Sequence, residues 1–163
     1  MEQMEEPTGL TFDKVTTEDG VLVKFNGEVD ETADFSTLGD LSGKVAFDLE
    51  KIERFNSEGI RRWVTFIRGL DQVSELVLEK CSVPVVAQLN LIRGLKGRVW
   101  VKSFYIPYVC VETGEEEVHL LYADDVKDPS DPPMPDAGPG KTLELDDVPE
   151  RYFSFLRDFT KPS

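Results

Sequence analysis

Asn56-Ser57-Glu58-Gly59 is the run best equipped for chemistry in this chain, and Arg61 and Arg62 follow it at once. Asn56 or Ser57 can accept hydrogen bonds from the orphan amides of a first helical turn. Glu58 suits the positive end of the same helix. Arg61, Thr65 and Arg68 fall on one helical stripe, with Arg62 beside them. Such a stripe serves as a solvated face, meets acidic residues of a partner, or holds the chain's own acidic C-terminal segment. A helix start of this kind could also receive a nucleotide or small anion. Glu58 argues against that by repelling it.

Enzymatic chemistry finds little support. His119 is the single histidine, far in sequence from Ser57, so no nucleophile–base set is evident. Gly138-Pro139-Gly140-Lys141-Thr142 has the letters of a phosphate-loop ending but lacks its first glycine and a leading apolar strand. No cofactor is expected.

The elements that must position the Asn56 run can be read from apolar spacing. Val45, Phe47 and Leu49 alternate as a strand does. Ile60, Trp63, Val64, Ile67 and Leu70 recur at three and four, which predicts a helix with one apolar face. Phe55 to Gly59 is then a sharp polar turn between them. Earlier strands are expected over Leu10–Val15 and Val21–Phe25. Asn26-Gly27 either turns the chain or forms a bulge in a strand reaching Val29. A short helix is expected within Glu31–Leu41. A fourth strand is expected over Glu75–Lys80. A helix opening at Ser82-Val83-Pro84 follows, with Val85, Val86, Leu89 and Ile92 as its apolar face and Gly94 and Gly97 closing it. Val99–Phe104 is the expected fifth strand. From the third strand onward, each strand–helix–strand unit predicts a parallel crossover.

The net charge is −14, which disfavours nucleic acid and acidic membrane surfaces as partners. Residues 1–104 hold 13 Lys/Arg against 18 Asp/Glu, a balance of −5, and residues 105–163 hold 5 against 14, a balance of −9. Five of the ten prolines lie between Pro129 and Pro139, which adds to a compositional boundary near Ser103–Pro107. No apolar run reaches the ~18 residues of a membrane span. The acidic start, MEQMEEPTG, does not look like a secretion signal, so a cytoplasmic protein is expected. Cys81 and Cys110 are expected to be reduced and buried.

Element order and the turn together resemble the STAS fold, the family of anti-sigma-factor antagonists and sulfate-transporter tail domains. The matching residues are Val45-Ala46-Phe47-Asp48-Leu49, then Asn56-Ser57-Glu58-Gly59, and the resemblance covers residues 10–104. It implies a non-enzymatic regulatory domain that docks another protein through this turn and helix. In signalling members the residue before the glycine is a serine that a kinase phosphorylates. Here it is Glu58, with about one negative charge against roughly −1.5 to −2 for a phosphate. The resemblance assigns Ser57 to capping, with a Ser57 phosphorylation switch as an alternative. The family's usual surface adds Glu31, Thr32 and Asp34 to Asn56, Ser57, Glu58, Gly59, Arg61 and Arg62. A homodimer is left open.

The C-terminal part resembles a zinc ribbon that has lost its metal. Cys110, Thr113, Met134 and Ala137 stand where four thiolates would be needed, and one thiolate cannot hold the ion. His119 is expected to be a plain surface or hairpin residue. Tyr105–Val111 and Glu117–Ala123 predict a hairpin about Thr113-Gly114, with Thr142–Leu145 adding a strand. Residues 124–141 are expected to form a poorly ordered loop. Pro149–Phe159 predicts a helix carrying Tyr152, Phe153, Leu156 and Phe159, with Phe155 beside them. The expected whole is an α/β, STAS-like mixed sheet of four to five strands over residues 10–104. Residues 1–9 precede it as a flexible tail, and an acidic ribbon-like extension with a terminal helix follows over 105–163.

Overall fold

The computed structural model describes residues 9–91, 99–128, 131, 133–135 and 138–156. The fold is α/β. Strands β1 (Thr11–Thr16), β2 (Val21–Val29), β3 (Gly43–Phe55), β4 (Val73–Glu79) and β5 (Val99–Val101) form one sheet in the order β1-β2-β3-β4-β5. β1 and β2 are an antiparallel hairpin, and β2 through β5 run parallel. Helix α1 (Ser57–Arg68) joins β3 to β4 and packs on β2 and β3; α2 (Val83–Leu91) lies between β4 and β5 in sequence.

The alternation places Val45, Phe47 and Leu49 on the buried face of β3, with Val23 and Phe25 beside them on β2. Trp63 of α1 closes this layer and is only 1% exposed. Its ring lies 6.0 Å from Phe25 and 6.2 Å from Phe47, and Phe25 meets Phe47 edge-on at 4.9 Å. Edge-to-face pairs of this kind add to the burial energy of each ring.

Several elements depart from the expected bounds. β2 runs on to Val29 with register shifts near Asn26-Gly27, so the chain does not turn there. β3 continues to Phe55, past the end of its alternation. From Lys24–Asp48 to Val29–Phe55, β3 advances two residues further than β2, and Glu50 and Lys51 are both exposed where the ladder slips. The helix expected in Glu31–Leu41 is a single 3-10 turn, Phe35–Leu38, capped by Asp34. β5 is shorter than Val99–Phe104 because the chain leaves the sheet at Lys102.

The second sheet has the order β7-β6-β8, all antiparallel: β6 (Ser103–Cys110), β7 (Glu116–Tyr122) and β8 (Leu143–Leu145). The expected boundary between residues 104 and 105 falls inside β6. Phe104 forms a parallel bridge with Cys81, just beyond Lys80, whose left-handed φ of +51° turns the chain out of β4. Within the described part of the expected Pro149–Phe159, helix α3 covers Pro149–Tyr152 and a turn follows over 153–155. Phe153 and Phe155 seat their rings edge-on against Phe104 at 5.8 and 5.0 Å, so this aromatic segment packs on its own fold. Within 124–141, Ala123–Asp125 form a 3-10 turn and Tyr108 donates its hydroxyl to the Pro133 carbonyl at 3.3 Å. Residues 1–8 of the expected tail, Ile92, Gly94, Gly97, Ala137 and Phe159 lie outside the described residues.

At the ribbon-like turn, Cys110 is buried and its thiol donates to Glu112 at 3.4 Å. The same carboxylate accepts the Thr142 amide at 2.8 Å, which ties the hairpin to the segment entering β8. Thr113 and Met134 are exposed. His119 is a hairpin residue, the second of the two expected alternatives, and is half-buried. It faces inward on β7 and sets its ring edge-on against Tyr108 at 5.5 Å.

Trp63→Ala is expected to lower unfolding stability by ~3–5 kcal/mol in a denaturant titration, because it empties the centre of this layer. The amide of Thr142 holds the Glu112 carboxyl down to about 2. Its stabilising contribution is therefore complete above the ordinary value of 4.5 and is lost as pH falls toward about 2. Thermal midpoints of wild type and Glu112→Gln should differ at neutral pH and converge as pH drops through that window.

Candidate functional site

α1 starts where β3 stops, with no spacer. Asn56 is the N-cap: its side-chain oxygen accepts the Gly59 amide at 2.8 Å and its carbonyl accepts the Ile60 amide at 2.9 Å. This settles the cap between the two candidates. Ser57 is the exposed first residue of the helix and does not fill the capping role the resemblance gave it.

The first turn of α1 is pressed against the end of β2. The Asn56 amide donates to the Val29 carbonyl at 3.2 Å. A Cβ on Gly59 would lie 1.7 Å from that same carbonyl oxygen, so only glycine fits. The loop leaving β2 is thereby laid alongside the helix. Asn56 donates its side-chain amide to Glu31 at 2.6 Å, and Arg62 donates to the Ala33 carbonyl at 3.2 Å. Asp30 folds this loop by accepting the hydroxyl and amide of Thr32, which hold its carboxyl below the usual range; the Arg62 charge adds a smaller push. Asp34 is lowered in the same way by the hydroxyl and amide of Ser36.

Glu58 sits at the centre. Its two oxygens lie 3.6 Å from Arg61 and 3.6 Å from Arg62. Its side chain keeps 38% exposure, so another molecule can reach it. Ion pairs this open contribute at most ~1 kcal/mol each, and their main effect is to orient the side chains. Beside them, a shallow cleft of about 480 Å³ opens between residues 33–39 and α1. Asp34, Arg61 and Arg62 line its rim, and Phe35 stacked on Phe66 at 4.3 Å lines its wall.

All nine expected site residues thus fall on one strip, but in unequal roles. Direct contacts join Glu31, Asn56 and Gly59 in one set and Glu58, Arg61 and Arg62 in another. Thr32 and Asp34 shape the loop, and Arg61 reaches outward, 78% exposed. The Phe35–Phe66 pair was not foreseen as part of this surface. Phe66 follows Trp63 by three residues and precedes Leu70 by four, so its spacing fits the apolar face of the helix and gives no sign of a role at the surface. The acidic segment considered as a cover for the arginine stripe is held elsewhere in its described part: Thr142 accepts the Val111 amide and Asp146 donates to Pro107. Among the described residues no group of three or more His, Cys, Asp or Glu side chains could hold a metal, and no helix is long and apolar enough to cross a membrane. No family model, curated protein or solved structure matches the chain.

Gly59→Ala is expected to cost about 3 kcal/mol or more, since its Cβ meets backbone rather than a movable side chain. Asn56→Ala should cost only ~1 kcal/mol, the usual value of a lost cap. Chemical denaturation of both variants checks the order.

Proposed function

We propose that this chain is a non-enzymatic, STAS-like regulatory module that acts in the cytoplasm by docking another protein through the Asn56–Gly59 turn and the exposed side of α1. One observation carries the reading. Asn56 to Glu31, and Arg62 to the Ala33 carbonyl, tie two segments distant in sequence into a single surface around an accessible carboxylate. The reading is supported by α1 opening directly from β3 at the Asn56–Gly59 run on which the resemblance rests. Glu58 supplies a fixed negative charge where signalling relatives install a phosphate, so docking does not wait on a kinase.

The anion-sensor alternative is less well supported. The Gly59 amide is already taken by Asn56, and Glu58 occupies the positive end of the helix. A phosphate on Ser57 would add a second anion next to Glu58.

The test is affinity capture from native-cell lysate with wild type, Glu58→Arg and a control on α3, Glu150→Arg. A protein held by wild type and control should fall about tenfold with Glu58→Arg, as expected for loss of a central interface charge. Equal capture by all three would remove this surface as the docking site.

A further inference from the structure

β7 is an edge strand of the small sheet, and among the described residues its outer edge pairs with no other strand. Edge strands of soluble proteins are usually guarded by lysine, proline or a bulge. β7, with the sequence EEVHLLY, has none of these, and its charged guards, Glu116 and Glu117, stand only at its start, leaving Val118 to Tyr122 without one. Its pattern is inverted as well. His119 and Leu121 turn inward, while Val118, Leu120 and Tyr122 point outward with 58, 37 and 48% exposure. Directly across the ladder from Val118 and Leu120 stand Pro107 and Tyr105, both half-buried. The result is an apolar ribbon face beside a row of backbone groups available for pairing. It runs into a cleft of about 590 Å³ where the small sheet meets β3, with Val118, Tyr105 and Pro84 on one part of its lining and Glu50, Lys51 and Glu53 on another.

Acids stand at both ends of this strip. Glu112, Glu115 and Glu116 are exposed before and at the start of β7, and Asp124 and Asp125 are exposed just after it. We infer that β7 takes up an extended polypeptide segment of a partner, as an added strand whose alternate apolar side chains cover Val118, Leu120 and Tyr122, and which carries Lys or Arg at both ends. Backbone pairing supplies affinity in this mode and the alternate side chains supply selection. Charge excludes a second copy as the occupant. Two chains of −14 would meet, and antiparallel β7–β7 pairing would bring the acids of one copy alongside those of the other. This inference is independent of the surface on α1.

The probe is a fluorescein-labelled decapeptide in which valine alternates with threonine and two lysines stand at each end. Its counterparts have glutamate ends, or serine in place of valine. Fluorescence anisotropy should show the lysine-ended peptide binding at least about tenfold tighter than either counterpart, and weakening as salt rises. Val118→Lys and Leu120→Lys, both on exposed positions, should each lose about tenfold at an unchanged thermal midpoint. Hydrogen exchange should slow at β7 amides on binding. Glu58→Arg should bind the peptide as wild type does, which separates this surface from the other. No saturable binding up to about 1 mM chain would overturn the inference. So would equal binding of lysine- and glutamate-ended peptides, or self-association in analytical ultracentrifugation that Leu120→Lys abolishes.

Discussion

The Val29 carbonyl is the contact on which the rest of the fold's front edge depends. It ends β2, accepts the Asn56 amide, and lies where any Cβ on Gly59 would have to be. Close approach of helix backbone to strand backbone fixes two things together. The first turn of α1 cannot slide or tilt away, because the cap at Asn56 and the contact at Gly59 belong to the same turn. The loop leaving β2 must then run beside the helix, which puts Glu31 within reach of Asn56 and Ala33 within reach of Arg62. Surface ion pairs are too weak to assemble such a site. Here they decorate a geometry that backbone packing has already set.

This division explains what could be read in advance. The apolar periods of β3 and α1 describe burial, and burial decided those elements: Val45, Phe47, Leu49, Trp63 and Ile67 are all in the core. Burial does not decide where a ladder slips. At Glu50 and Lys51 the alternation fails while the strand continues, because a parallel neighbour with fewer residues leaves both side chains outside. The strand therefore runs up to Phe55, the first residue of the expected polar turn, and α1 opens at once after the Asn56 cap. The nine residues of the site were legible as two clusters, one from the turn and one from the resemblance. The contact that unites them was not, because it runs through a main-chain oxygen that carries no side-chain signature.

The small sheet shows the opposite relation between pattern and burial. β6 reads as expected, with Phe104, Ile106, Tyr108 and Cys110 all inside. β7 alternates equally well, yet its stronger apolar set faces outward and the polar His119 faces in. Period alone cannot choose between the two faces of a strand. The ladder chooses: Ile106 opposite His119, and Phe104 opposite Leu121, must share the face that packs on the core. Aromatic rings from the C-terminal segment fill that side around Phe104, and the ribbon-like hairpin is closed by a carboxylate accepting an amide and a thiol. Hydrophobic packing and one carboxylate thus hold the hairpin to the strand beside it.

The two surfaces differ in their electrostatics, and the difference bears on how they could work together. Around Glu58 the carboxylate is bracketed at 3.6 Å by Arg61 and Arg62, so its charge acts on a partner at contact range rather than as a far-reaching field. Around β7, among the described residues, no lysine or arginine brackets Glu115, Glu116, Asp124 or Asp125 in this way, and the C-terminal 59 residues carry −9 of the total −14. An unmatched field reaches about 8 Å at physiological salt before it is screened, far enough to orient an approaching basic segment. A partner with such a segment would be drawn first to the small sheet and only then tested against α1. Tethered by one contact, it would meet the second at a raised local concentration, so two individually modest surfaces could give firm binding.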